Sequence, residues 1–133
     1  MTKTFEEQQE ENSANMNLYL FNSPRLDKDG YPTEEALAII KLWSYDDPSG
    51  WFTFIKEIWH MKDWGWEETR QPHTTRPETV VDRYYISTAG WSGNEDIIRA
   101  MTCNNNMLWS TTWVSSRRGG HYVFEIEIEN SNT

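Results

Sequence analysis

A chain of 133 residues and 15.8 kDa is the size of one ordinary domain, long enough to bury a core without disulfide or metal staples. Lys and Arg number 12 against 21 Asp and Glu, a formal charge of -9 and a pI near 4.7; that balance argues against unaided binding to nucleic acid or an anionic membrane. Eight Trp, six Tyr and five Phe make 14% of the chain aromatic, a content incompatible with general disorder despite a mean hydropathy of -0.81.

Residues 1–15 hold four Glu and one Lys without periodicity or an apolar run of signal-peptide length. They are expected to form a disordered acidic tail carrying -3, which leaves -6 for the rest. Residues 16–129 are expected to form the one domain and 130–133 a short polar end. No stretch approaches the roughly 18 to 20 apolar residues that span a bilayer, so the expected location is the cytoplasm. The lone Cys103 has no internal disulfide partner, agrees with a reducing compartment, and is read as a small buried hydrophobe near a helix end.

Residues 16–21 (MNLYLF) read as a first strand, closed by turn residues at Asn22–Pro24 and Asp27–Gly30. Thr33 followed by Glu34 and Glu35 predicts a capped helix running to about Tyr45. Asp47 before Pro48 places a capping acid ahead of proline at the first helical position. Beyond it, Trp51, Phe52, Ile55, Ile58 and Trp59 form a helical stripe. Residues 66–79 contain Pro72 and Pro77 without a period, and are expected to be mostly loop with room for a short strand at Trp66, a candidate lid or contact surface. Val80–Thr88 is β-branched and aromatic, and predicts a strand.

Ser92 with Glu95 three positions on is a capping box, and Ile97, Ile98 and Met101 give the buried face of the helix it opens. Asn104–Asn106 should end that helix. Met107–Ser115 and His121–Glu129 are separated by Ser116–Gly120, a loop with two glycines, and predict an antiparallel hairpin. In its second strand Tyr122, Phe124, Ile126 and Ile128 alternate with Val123, Glu125, Glu127 and Glu129, one face for the core and one for water. The fold class is therefore α+β: one domain, a small antiparallel or mixed sheet with a C-terminal hairpin, packed against about three helices.

Chemistry-bearing motifs are sparse. His60, His73 and His121 show no paired metal-ligand spacing, and neither a P-loop, a dinucleotide fingerprint nor Gly-x-Ser-x-Gly occurs. No metal or cofactor is implied, and no catalytic residue is singled out. Gly90-Trp91-Ser92-Gly93 precedes a helix whose free amides suit an anion, and Arg117-Arg118 beside Gly119-Gly120 is the one adjacent pair of positive charges. If folding joins them, Trp91, Ser92, Gly93, Asn94, Arg117, Arg118 and His121 would surround a phosphate or carboxylate. Glu125, Glu127 and Glu129 read as the wet face of a sheet. Trp43, Trp51 and Trp59 fall on helical stripes and belong to the core, whereas Trp64, Trp66, Trp91, Trp109 and Trp113 are the candidate contact residues.

The run Tyr85-Ile86-Ser87-Thr88, Gly90-Trp91-Ser92-Gly93-Asn94-Glu95, Trp109, Trp113 and Arg117-Arg118-Gly119-Gly120-His121-Tyr122 with Phe124-Glu125-Ile126 resembles a group of small uncharacterised proteins of bacteriophages and prophages. The resemblance covers the C-terminal third, and implies a genomic setting without an activity. The functional expectation is a phage-type accessory protein that binds a protein, in particular a basic one, through an acidic, Trp-rich surface, with no direct nucleic-acid or membrane partner. Two other readings stand beside it: a binder or enzyme for a small anionic ligand at the 90–95 helix start and the 117–121 hairpin tip, and a self-associating structural domain.

Overall fold

The computed structural model describes residues 4–8, 10–11 and 24–128. The strand expected at 16–21 and the polar end at 130–133 lie outside these residues. Within the stretch expected to be a tail, residues 5–8 and 10–11 are helical (α1), and the Phe5 ring lies 5.2 Å from that of Tyr45.

Thr33 caps α2 (Glu34–Leu42), its hydroxyl accepting from the Ala36 amide at 3.1 Å. Asp47 caps α3 (Pro48–Ile58) in the same way through Gly50 N–H, and proline at the first helical position has no amide to leave orphaned. Trp51, Phe52, Phe54, Ile55 and Ile58 are all buried, a broad arc that leaves Ser49, Thr53 and Glu57 as one narrow exposed stripe. α3 is accordingly the inner helix. Phe52 stacks on Tyr84 and meets Phe124 of the sheet, while on the other side the Trp51 indole N–H donates to the Ile40 carbonyl of α2 at 3.0 Å.

After α3 a single turn, α4 (Lys62–Gly65), leads into β1 (Trp66–Pro72), then β2 (Val80–Ser87), α5 (Ser92–Thr102), the short α6 (Leu108–Thr112), β3 (Trp113–Arg117) and β4 (His121–Glu127). The four strands form one antiparallel sheet in the order β1-β2-β4-β3. The protein is thus a single small α+β domain with a C-terminal hairpin. One sheet face carries Trp66, Tyr84, Ile86, Phe124 and Ile126, all buried. Every ring contact from a helix onto the sheet is made on that face, by Phe52, Trp59 and Trp109. The other face carries Arg83 beside Glu125, Tyr85 beside Val123, and Ser87 beside His121 and Arg117. Among the described residues no helix is long and apolar enough to cross a membrane.

Four local expectations need correction. Residues 66–72 are a strand, not loop: β1 is an edge strand whose exposed side chains carry no apolar alternation, and Pro72 is tolerated at its end. Residues 107–112 are not strand, because a helical turn puts Leu108, Trp109 and Thr112 on one side, where alternation would split them. The N-cap of α5 is Trp91 rather than Ser92, its carbonyl receiving the Glu95 amide at 3.1 Å without a side-chain cap. Cys103 is exposed, because it sits at the C-cap where the chain leaves the helix.

Candidate functional site

The C-terminal end of α3, the start of α5, the end of β2 and the hairpin turn meet at one end of the molecule, and a buried asparagine joins three of them. Asn94 is fully buried. Its Oδ1 accepts from His60 N–H at 2.9 Å, and its Nδ2 donates to the carbonyls of His60 and Thr88 at 3.0 and 3.3 Å. Thr88 N–H in turn donates to the Gly120 carbonyl at 3.0 Å, which ties the hairpin turn to the same cluster. An unpaired amide here would cost about 1–3 kcal/mol, so Asn94 acts as a structural staple.

Aromatic side chains cover this end. The Trp91 indole is stacked between Tyr31 at 4.6 Å and His60 at 4.3 Å. It also folds over Gly93, where a Cβ would lie 2.2 Å from the indole, so that position accepts no side chain. Next to His60, Met61 adopts a left-handed backbone (φ 60) and caps α4, projecting Met61 and Trp64 outward at 53% and 66% exposure. Ala89 is left-handed as well (φ 56). Non-glycine residues rarely hold that conformation, and two of them at one end mark it as a place where local strain is retained.

The other predicted site residues are dispersed. Trp66, expected among the contact tryptophans, is core: entering β1 it faces α3 and packs at 5.8 Å from Trp59 and 6.1 Å from Tyr84. Trp109 is half-buried against Tyr122 and Phe124. Trp113, 44% exposed, lies opposite Phe124 in register, and its indole N–H donates to Ser116 Oγ at 2.8 Å. Ser92 is exposed with its hydroxyl 3.5 Å from Tyr31 Oη, while Gly93 and Asn94 are buried.

The expected pocket between the helix start and the hairpin tip is not assembled from those seven residues. The two segments do adjoin, but the cleft of about 320 Å³ between them is lined by Thr88, Glu95, Ile98, Arg99, Gly120 and Tyr122. Arg117 and His121 turn away from it onto the open sheet face, where Ser87, His121 and Arg117 stand side by side across β2, β4 and β3. Ser87 Oγ and His121 Nδ1 are 2.7 Å apart. Ser87 belongs to the run that carries the resemblance but had no role assigned, and Tyr31, His60 and Met61 of the aromatic end were marked by no motif; strand pairing and packing bring them in.

Further along the open face the acidic row is already committed. Glu125 pairs with Arg83 at 3.3 Å and Glu127 with Arg76; Glu129 lies outside the described residues. Arg83 Nε and Glu125 Oε2 are buried without a hydrogen bond, so their contact is chiefly Coulombic. Arg83 is held protonated first by its contact with the Tyr85 hydroxyl and, against its own burial, by the Glu125 charge. On the helix-covered face, burial pushes the Tyr84 hydroxyl up to about 12, with Asp82 and Glu68 adding to the shift. A larger cleft of about 510 Å³ at the opposite end of the sheet contains His73, Arg76, Glu125 and Glu127. Its charged groups are paired as above, and His73 Nδ1 accepts from the amides of Thr75 and Arg76. Among the described residues no group of three or more His, Cys, Asp or Glu gathers as a metal site would require.

Comparison with protein-family models, with curated proteins and with solved structures finds no match to this chain.

Proposed function

We propose that the protein is a binding module, an accessory protein of the phage type that its sequence pattern resembles, and that it engages a protein partner through its aromatic end. The observation that carries this reading is the outward projection of Met61 and Trp64 beside the Tyr31–Trp91–His60 stack, on a backbone holding two left-handed non-glycine residues. Trp presented on a rigid platform loses little conformational entropy on binding and buries a large apolar area, as hot spots do, while the flexible Met beside it adapts to the partner's surface. The charges of α4, the first turn of α5 and the hairpin tip are Lys62, Arg117 and Arg118 against Asp63 and Glu95. With signs so nearly balanced there, the partner is selected by aromatic anchors rather than by the acidity of the whole chain.

Affinity capture from bacterial lysate with the wild-type chain and with Trp64→Ala tests this. A partner that persists at high salt and is lost with the variant, at a cost of about 2 kcal/mol or more in binding, supports the proposal. Capture that is unchanged in the variant, or that vanishes at high salt, counts against it. Light scattering on the same two proteins distinguishes a foreign partner from a second copy of the chain.

A further inference from the structure

We propose that the row Ser87–His121–Arg117 on the open sheet face binds the phosphate group of a small phosphate monoester. The three residues are neighbours in register on β2, β4 and β3, and together with Tyr85 and Val123 they line a cleft of about 240 Å³. Their chemistry fits a tetrahedral oxyanion. Ser87 acts through His121: donating its hydroxyl proton to Nδ1 at 2.7 Å, it fixes the imidazole in the tautomer that keeps an Nε2–H for the phosphate. Arg117 adds a guanidinium fork, the group that best matches phosphate oxygens in pairs.

The arginines of the chain supply the independent argument. Arg25, Arg70, Arg76, Arg83 and Arg99 each pair with a carboxylate. Arg117 and Arg118 of the hairpin have no acidic partner among the described residues, and no carboxylate lines the cleft. In a chain with 21 acidic side chains, a guanidinium beside a histidine and a serine in a cleft without a carboxylate in its lining, the acid of the neighbouring strand being Glu67 across from Tyr85, has the electrostatics of a site that takes an anion from outside. Tyr85, 36% exposed, stands beside the row as an aromatic wall. That wall gives an ester carrying a ring more contact than free phosphate would have, and points to a nucleoside monophosphate as the probe.

Isothermal titration calorimetry on the full chain, with a nucleoside monophosphate, its parent nucleoside and inorganic phosphate in separate titrations, reads the site directly. The expected result is saturable binding of the monophosphate, tighter than inorganic phosphate, with no binding of the nucleoside. Arg117→Gln and Ser87→Ala should each weaken it by about tenfold, whereas Arg118→Gln, which removes the same charge outside the cleft, should change it by less than about threefold. Monophosphate binding that is absent, no tighter than phosphate, or weakened equally by Arg117→Gln and Arg118→Gln would overturn the proposal. Circular dichroism melts of the three variants establish that each is folded before its titration is read.

Discussion

The two faces of the sheet are built from the same four strands by different physics. On the helix-covered face Trp66, Tyr84, Ile86, Phe124 and Ile126 are held by dispersion and by exclusion from water. On the open face, order comes from fixed polar pairs: Arg83 with Glu125, Arg76 with Glu127, Ser87 with His121. The first face has little to offer a partner, since its side chains are covered inside the fold. The second has its charges paired along most of its length and, among the described residues, leaves Arg117 and Arg118 without an acidic partner at the hairpin end. Stability and recognition are therefore separated by the two-residue period of the strands, and a change on one face should leave the other largely undisturbed.

The sharpest way to break this comparison is Phe52→Ala. Phe52 is fully buried, stacks at 4.3 Å on Tyr84 and meets Phe124 in a tilted contact at 5.2 Å, so truncation should cost about 3–5 kcal/mol in chemical denaturation. A loss below about 1 kcal/mol would mean that this face does not carry the fold. Next comes alkaline pH. Tyr84 holds its proton up to about 12 in the folded protein, while in the unfolded chain it titrates near 10. The folded state binds the extra proton between those values, so stability is fully present below about pH 10 and falls as pH rises towards 12, by roughly 2–3 kcal/mol in all. Tyr84→Phe should flatten that part of the curve of stability against pH, and an unchanged slope would locate the titration elsewhere.

Smaller effects belong to the open face. A double-mutant cycle on Arg83→Gln and Glu125→Gln should give a coupling of about 1 kcal/mol, since the two side chains are 20% and 13% exposed and keep only part of their Coulombic gain. A coupling as large as the loss at Phe52 would erase the distinction between the faces. Smallest is Trp113→Ala, expected to cost under about 1 kcal/mol in thermal denaturation, because this ring is 44% exposed where the helix cover ends. A larger loss would extend the packed face out to the β3 edge.

The parts of this architecture legible in the sequence were those with a local cause. Thr33 and Asp47 announced α2 and α3 because a cap is a contact between residues three apart, and β4 announced itself by alternation because one of its faces is buried. β1 was legible only as a short strand at Trp66 and not in its full extent, for the opposite reason: as an edge strand it is paired on one side and polar along most of its length, so its strand character resides in β2. The three asparagines 104–106 read correctly as the end of α5, but their larger role is not local. Asn104 donates to the Ile40 carbonyl at 2.8 Å and Asn106 to the Trp43 carbonyl at 2.7 Å, closing the C-terminal end of a helix more than 60 residues upstream. In the candidate site, Arg117, Arg118 and His121 stood out by their charge and their place at a turn. Ser87 stood in the resembling run without a role, since what distinguishes it is a register partner 34 positions away.

The strand order β1-β2-β4-β3 has a consequence for how the chain comes to be folded during synthesis. β4 is the last of the four strands to be made, yet it occupies an interior position between β2 and β3, and among the described residues β3 has no other neighbour in the sheet. Until residues 121–127 have emerged from the ribosome, β2 is paired on one side only, β3 on neither, and Phe52 waits for the Phe124 ring. The nascent chain must keep its apolar sheet face unfinished to the end and close it in one late step, a long-range event of the kind that sets the pace of folding and exposes a protein to aggregation before it is complete.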